Sequence, residues 1–170
     1  MTKKHWLCLT LVIVAVFAAV IVLRRSFPPK AYVPPEEGLL QELIQALEQK
    51  DAQTIKSLFS ANTVSAVPEL DAQITRLCDF YTGSVTETVD KGLYAQLSKE
   101  IGCRSEVIQA SYDLTTTEGA YRIAFQFCTI DTENPGEEGL HSLYMIRAED
   151  SDMDFSYWGG HQWMPGVVIE

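Results

Sequence analysis

The sequence predicts an α+β protein: N-terminal helices packed on an antiparallel sheet, preceded by a single transmembrane helix. Three observations carry this. An unbroken apolar run occupies Trp6–Leu23, apolar stripes at helical spacing fill residues 39–81, and three runs between Glu106 and Arg147 alternate with a period of two.

Trp6–Leu23 is 18 residues long and holds no charge, proline or glycine. At helical rise it spans roughly 27 Å, close to the hydrocarbon thickness of a bilayer. A buried core helix would show a polar face, and this run offers only Cys8 and Thr10. A cleaved signal peptide is the competing reading. No small-residue cleavage site follows the apolar run, which ends directly in Arg24-Arg25. The expectation is an uncleaved anchor over residues 1–25, with the membrane as partner of residues 6–23. Lys3 and Lys4 on one side nearly balance Arg24, Arg25 and Lys30 on the other. A short tail before a long acidic domain favours the amino terminus inside. The expected location is the cell membrane, single-pass, with the body outside the cytoplasm.

Charge divides at the same place. Residues 1–30 carry five basic residues and no acid, leaving eight basic against 23 acidic residues in the remainder, a formal charge of −15. Such a body repels nucleic-acid phosphates, so nucleic acid is excluded as a partner. Residues 26–38 include Pro28-Pro29 and Pro34-Pro35 and read as a stiff, extended spacer. The α+β domain is then assigned to residues 39–170.

Three helices are predicted first. Leu39, Leu40, Leu43, Ile44 and Leu47 form one face of an amphipathic helix, opposite Gln41, Glu42, Gln45 and Glu48. Asp51 is placed to cap a second helix bearing Ile55, Leu58 and Phe59. A third opens near Pro68-Glu69, buries Leu70, Ile74, Leu77 and Tyr81, and stops by Gly83. Ser84–Val89 reads as a first strand. Lys91–Ile101, with Leu93, Leu97 and Ile101 four apart, reads as an insertion or short helix.

The sheet is the clearest part of the pattern. Ile108, Ala110, Tyr112 and Leu114 alternate with Val107, Gln109, Ser111 and Asp113. After the Thr117-Glu118-Gly119 turn, Tyr121, Ile123, Phe125 and Phe127 share one face, with Ala120, Arg122, Ala124, Gln126 and Cys128 on the other. Beyond a loop at residues 131–136, Leu140, Ser142, Tyr144 and Ile146 alternate with His141, Leu143, Met145 and Arg147.

Motifs for chemistry are sparse. Cys8 lies in the membrane run, and Cys78, Cys103 and Cys128 include no C-x-x-C pair, which argues against structural zinc. Either a Cys78–Cys103 disulfide or three separate buried thiols fits the spacing, and the separate thiols are favoured. Asp150, Asp152 and Asp154 alternate as in an EF-hand loop. Phe155 and His161, however, occupy the positions where that loop needs Gly and Glu. No metal and no cofactor are therefore expected. Cys128 and His141 on adjacent strands, with Asp131 or Asp113 to orient the imidazole, form a weak nucleophile–base constellation. Tyr157–Trp163 concentrates aromatics beside glycines, suited to ligand contact or to sealing one end of the sheet.

Several stretches resemble a known family: Ser111–Thr116, Gly119–Phe125, Thr129–Thr132, Gly139–Tyr144, and the closing Tyr157-Trp158-Gly159 with Pro165-Gly166-Val167. They are similar to a domain of unknown function in uncharacterised secreted or membrane-attached proteins of Gram-positive bacteria, related in shape to cystatin-like and nuclear-transport-factor-like folds. The resemblance covers roughly residues 39–170. It implies a curved sheet wrapped on helices, often enclosing a cone-shaped cavity, and it implies no activity.

The functional expectation is a membrane-anchored, extracytoplasmic, non-catalytic binding module for a small ligand, peptide or protein partner. Tyr112, His141, Trp158 and Trp163 are its ligand-binding candidates. The alternative is an enzyme acting on a small molecule in a conical pocket, with His141 or Asp113 as acid or base.

Overall fold

The computed structural model describes residues 33–100, 102–150 and 166–169. The predicted anchor, the first part of the spacer, and Trp158 and Trp163 lie outside the described residues. Among those described, no helix is long and apolar enough to cross a membrane. Pro34–Glu170 forms one compact unit.

Among the described residues four α-helices precede the sheet, one more than the spacing predicts there. Helix α1 spans Pro35–Glu48, beginning inside the stretch read as spacer. Proline at its first turn gives up an amide that has no intrahelical partner there, and Glu36 and Glu37 meet the positive end of its dipole. Helix α2, Ala52–Ser57, is capped as expected: Asp51 accepts from the Thr54 amide at 3.0 Å. The unforeseen helix is α3, Ala61–Ala66, where the Ser60 hydroxyl caps the Thr63 amide at 3.1 Å. None of its residues is buried, so it has no apolar stripe to betray it. Helix α4, Leu70–Phe80, buries Leu70, Ile74, Leu77 and Cys78. Lys50 donates its ammonium to the carbonyls of Cys78 and Tyr81, satisfying the C-terminal end of that helix.

Among the described residues five antiparallel strands follow in sequence order: β1 Val85–Glu100, β2 Cys103–Thr116, β3 Ala120–Asp131, β4 Gly139–Arg147 and β5 Gly166–Ile169. Lys91–Ile101 is therefore no helix; through Glu100 it continues β1. Apolar residues four apart share a face in a strand as well as in a helix, so the spacing alone did not discriminate.

Strands β2 and β3 fall as their alternation predicts. Ile108, Ala110, Tyr112 and Leu114 pair with Phe127, Phe125, Ile123 and Tyr121, and all eight are buried in one core with the helices. The alternation in β4 breaks. His141 is an extra residue between the Phe127–Leu140 and Gln126–Ser142 pairs. Leu140 consequently shares the helix side with Leu143 and Met145, while Ser142, Tyr144 and Ile146 face away. Ala124, Cys128, Tyr144 and Ile146 are nevertheless buried, so the far face is not simply a wet one.

One backbone junction ties the layers together. The Leu140 amide donates to Leu58 O at 2.8 Å, and the Ser60 amide donates to Leu140 O at 3.0 Å, so the α2–α3 connection pairs with the start of β4. Gly139 makes the approach possible. Its φ is +121°, and a β-carbon there would lie 2.8 Å from Ser60 N and 2.9 Å from Leu58 O.

Two stability predictions follow for denaturant melts of the full chain. Phe125→Ala should cost about 3–5 kcal/mol, because the ring is fully buried and packs on Tyr112 and Phe127. Gly139→Ala should cost on the order of 1–3 kcal/mol through backbone strain, since the atoms it meets are main chain and cannot rotate aside.

Candidate functional site

The described residues hold their most accessible apolar surface on β1, the edge of the sheet. Every residue from Thr86 to Lys99 is exposed. The ribbon of β1 and β2 is long because the ladder runs unbroken from Gly92–Ser111 to Glu100–Cys103, beside a turn at Gly102. The described helices do not cover β1 along this length.

A bulge sets which side each residue takes. Asp90 pairs with Tyr112 and Gly92 with Ser111, leaving Lys91 as the additional residue. The Asp90 carboxylate accepts from the Gly92 amide at 2.8 Å across it, and Gly92 sits at φ +152°. The register places Thr88, Asp90, Leu93, Ala95, Leu97 and Lys99 on the helix side. Val89, Gly92, Tyr94 and Gln96 lie on the far side. Leu93 is 51% exposed and Tyr94 61%, with Val89 and Leu97 also open to solvent. The backbone N–H and C=O groups of an edge strand are a template for pairing, and large apolar side chains this exposed mark an interaction surface.

Polar groups gather beside this edge at two places. On the far face, Asp113 accepts two hydrogen bonds from Arg122, at 2.7 and 3.1 Å, with Lys91 at 3.5 Å. The Arg122 guanidinium holds the Asp113 carboxyl below the usual carboxylate range. At the hairpin tip, Ser98, Cys103, Arg104, Ser105, Asp131 and Glu133 line a polar hollow. The Cys103 thiol donates to Glu133 at 2.9 Å, and that bond keeps the thiol protonated by pushing its pKa up.

Of the predicted ligand-binding residues, Tyr112 and His141 are described, and each has its own surroundings. Tyr112 is buried in the core against Phe125, with ring centroids 6.1 Å apart; burial first, then the nearby Asp90, pushes its hydroxyl up to about 12. His141 is half-buried in the β4 bulge, its Nε2 2.7 Å from Glu137 O and 3.3 Å from the Glu137 carboxylate. Cys128 donates instead to Ile130 O at 3.2 Å, and burial pushes its thiol up. Cys128 and His141 thus have separate partners. Asp113 is engaged at the Ile146 end of the β3–β4 ladder through Arg122, whereas His141 lies at the Leu140 end. Cys78, Cys103 and Cys128 are all free thiols, and Cys103 is only half-buried, not the buried hydrophobe expected. Among the described residues no three His, Cys, Asp or Glu side chains form a metal-binding group.

Sequence reasoning placed the start of β1, in Ser84–Val89, but missed its continuation through Lys91–Glu100. The usable signal was the Gly102 turn between Lys99-Glu100 and Cys103-Arg104, followed by the strongly alternating β2. A turn at that point demands a preceding strand to pair with β2.

Residues 42–148 match the family model described as Domain of unknown function (DUF5104). That is well over half of the chain, from within α1 to just past β4, and the chain belongs to this family. No curated protein matches it.

The Asp113–Arg122 pair predicts a pH dependence. A carboxyl whose folded pKa is depressed contributes stability fully present above its unfolded pKa, about 3.9, and lost as pH falls below that value toward the folded one. Urea melts of the unsubstituted chain should therefore weaken through this acid range. Asp113→Asn should flatten that part of the profile, and an unchanged acid limb would count against the pair.

Proposed function

We propose that this member of the DUF5104 family is a membrane-anchored, extracytoplasmic, non-catalytic binding module that engages a protein partner along the β1 edge. One observation carries the reading: a long edge strand exposed on both faces, bearing Val89, Leu93, Tyr94 and Leu97. Unpaired main-chain groups on such an edge supply affinity by strand addition, while side chains on alternate faces supply selectivity. The anchor at Trp6–Leu23 rests on its length and composition, and the orientation on the charge flanks. The resemblance to secreted and membrane-attached proteins of Gram-positive bacteria, and to cystatin-like folds, supports the same placement. Tyr112 supports the core beneath the strand. His141 closes its own turn. Trp158 and Trp163 remain candidates for added contact area.

The test is photo-cross-linking of the full-length protein in its membrane. A photoreactive residue replacing Tyr94 should give a heavier covalent adduct in the carbonate-resistant membrane fraction, while one replacing the exposed Gln53 on α2 should not. No adduct at Tyr94, or recovery of the chain in the soluble fraction, would reject the reading.

A further inference from the structure

We infer that the partner of the β1 edge is the β1 edge of a second copy, paired antiparallel about a two-fold axis at Ala95. This deepens the edge-binding reading above and rests on it.

The inference comes from the order of side chains on one side of the strand. From the register with β2, the helix-side row reads Asp90, Leu93, Ala95, Leu97, Lys99. The bulge at Lys91 brings Asp90 into this row; without the extra residue in the count, its parity would place it on the far side. Turn that row end for end, as a two-fold axis normal to the sheet does, and it meets itself in complementary fashion. Ala95 faces Ala95, Leu93 faces Leu97 twice, and Asp90 faces Lys99 twice. A two-fold interface repeats each contact, so one favourable pair becomes two. Opposite charges directly across strands stabilise and like charges destabilise.

Neighbouring registers do not share this property. Because both copies must keep the same faces, the register moves in steps of two residues, and the axis therefore in steps of one. With the axis at Gln96, Leu97 faces only Ala95 and Leu93 faces Lys99, so both leucine–leucine pairs are lost and Asp90 no longer meets Lys99. With the axis at Tyr94, Leu93 faces Ala95 and Leu97 is left without an apolar partner. Only the Ala95 axis joins both leucine pairs and both ion pairs. The groups needed are accessible: Asp90 and Lys99 are exposed, and Lys99 takes part in no ion pair among the described residues. On the far side the same axis sets Tyr94 beside Gln96 and Gly92 beside Ser98, where small and polar partners leave room for the phenol ring.

The experiment uses the full-length protein in membranes and, for mass, in detergent by light scattering. Under mild oxidation Ala95→Cys should yield a covalent dimer above the level of the unsubstituted chain. Thr86→Cys, equally exposed on β1 but outside the paired stretch, should not. Asp90→Lys alone and Lys99→Asp alone should each weaken self-association by about tenfold or more, as two like-charge contacts replace two ion pairs. The double substitution should restore it. Rescue within one chain is specific to self-pairing in this register. A chain that stays monomeric, or a double substitution that is as weak as the singles, overturns the inference. A Tyr94 adduct of some mass other than twice the chain's would overturn self-pairing and leave the edge-binding reading intact. Absence of any Tyr94 adduct removes both.

Discussion

The junction of Leu58, Ser60 and Leu140 fixes how the helical layer meets the sheet. Helices usually lie on sheets through side chains, which slide and repack. Here two main-chain hydrogen bonds lock the α2–α3 connection to the first residues of β4, and directional bonds between backbones tolerate little displacement. Gly139 lets the chains approach. The cost is one residue of register: β4 must pair with both Phe59 and Phe127 through Leu140, and His141 is squeezed out of the β3 ladder. From there onward the strand presents Leu143 and Met145, not Ser142 and Tyr144, to the core.

This explains where reading the sequence succeeded and where it stopped. Strands β2 and β3 were legible because their core faces keep a strict two-residue period through Ile108–Leu114 and Tyr121–Phe127. Leu140 was assigned to the wrong companions because a bulge is a tertiary event with no signature in composition. Helix α3 was invisible for a different reason: a capped, six-residue helix with nothing buried has only its Ser60 cap to announce it. The candidate site suffered from both problems. Its leucines are four apart, a spacing shared by helices and strands, and its two halves change parity at Lys91. Residues chosen for their chemistry, His141 and Cys128, instead satisfy nearby polar groups at the end of the β3–β4 loop.

The β1–β2 ribbon also gives the domain an uneven distribution of stability. Its inner strand rests on the core through Ile108, Ala110 and Tyr112, whereas the outer strand is held mainly by its ladder and by the Glu48 carboxylate, which accepts from the Val85 amide at 2.7 Å. Backbone hydrogen bonds without buried apolar support open at low free energy. The outer strand is thus the element that can exchange partners without disturbing the helices. The acidic charge of the body keeps chance encounters few, so a partner at this edge has to offset that repulsion with matched pairs.

The bulge at Lys91 has a consequence for how the gene can vary. Since Asp90 and Gly92 already occupy consecutive rungs opposite Tyr112 and Ser111, loss of the intervening codon would splice two ladders that are in phase. Both faces would survive, and the ribbon would merely lose some twist. Loss of one codon between Leu93 and Leu97 would instead turn one half of the strand over. Chain length is therefore forgiving at one position of this strand and unforgiving a few residues later, a difference that side-chain chemistry alone would not suggest.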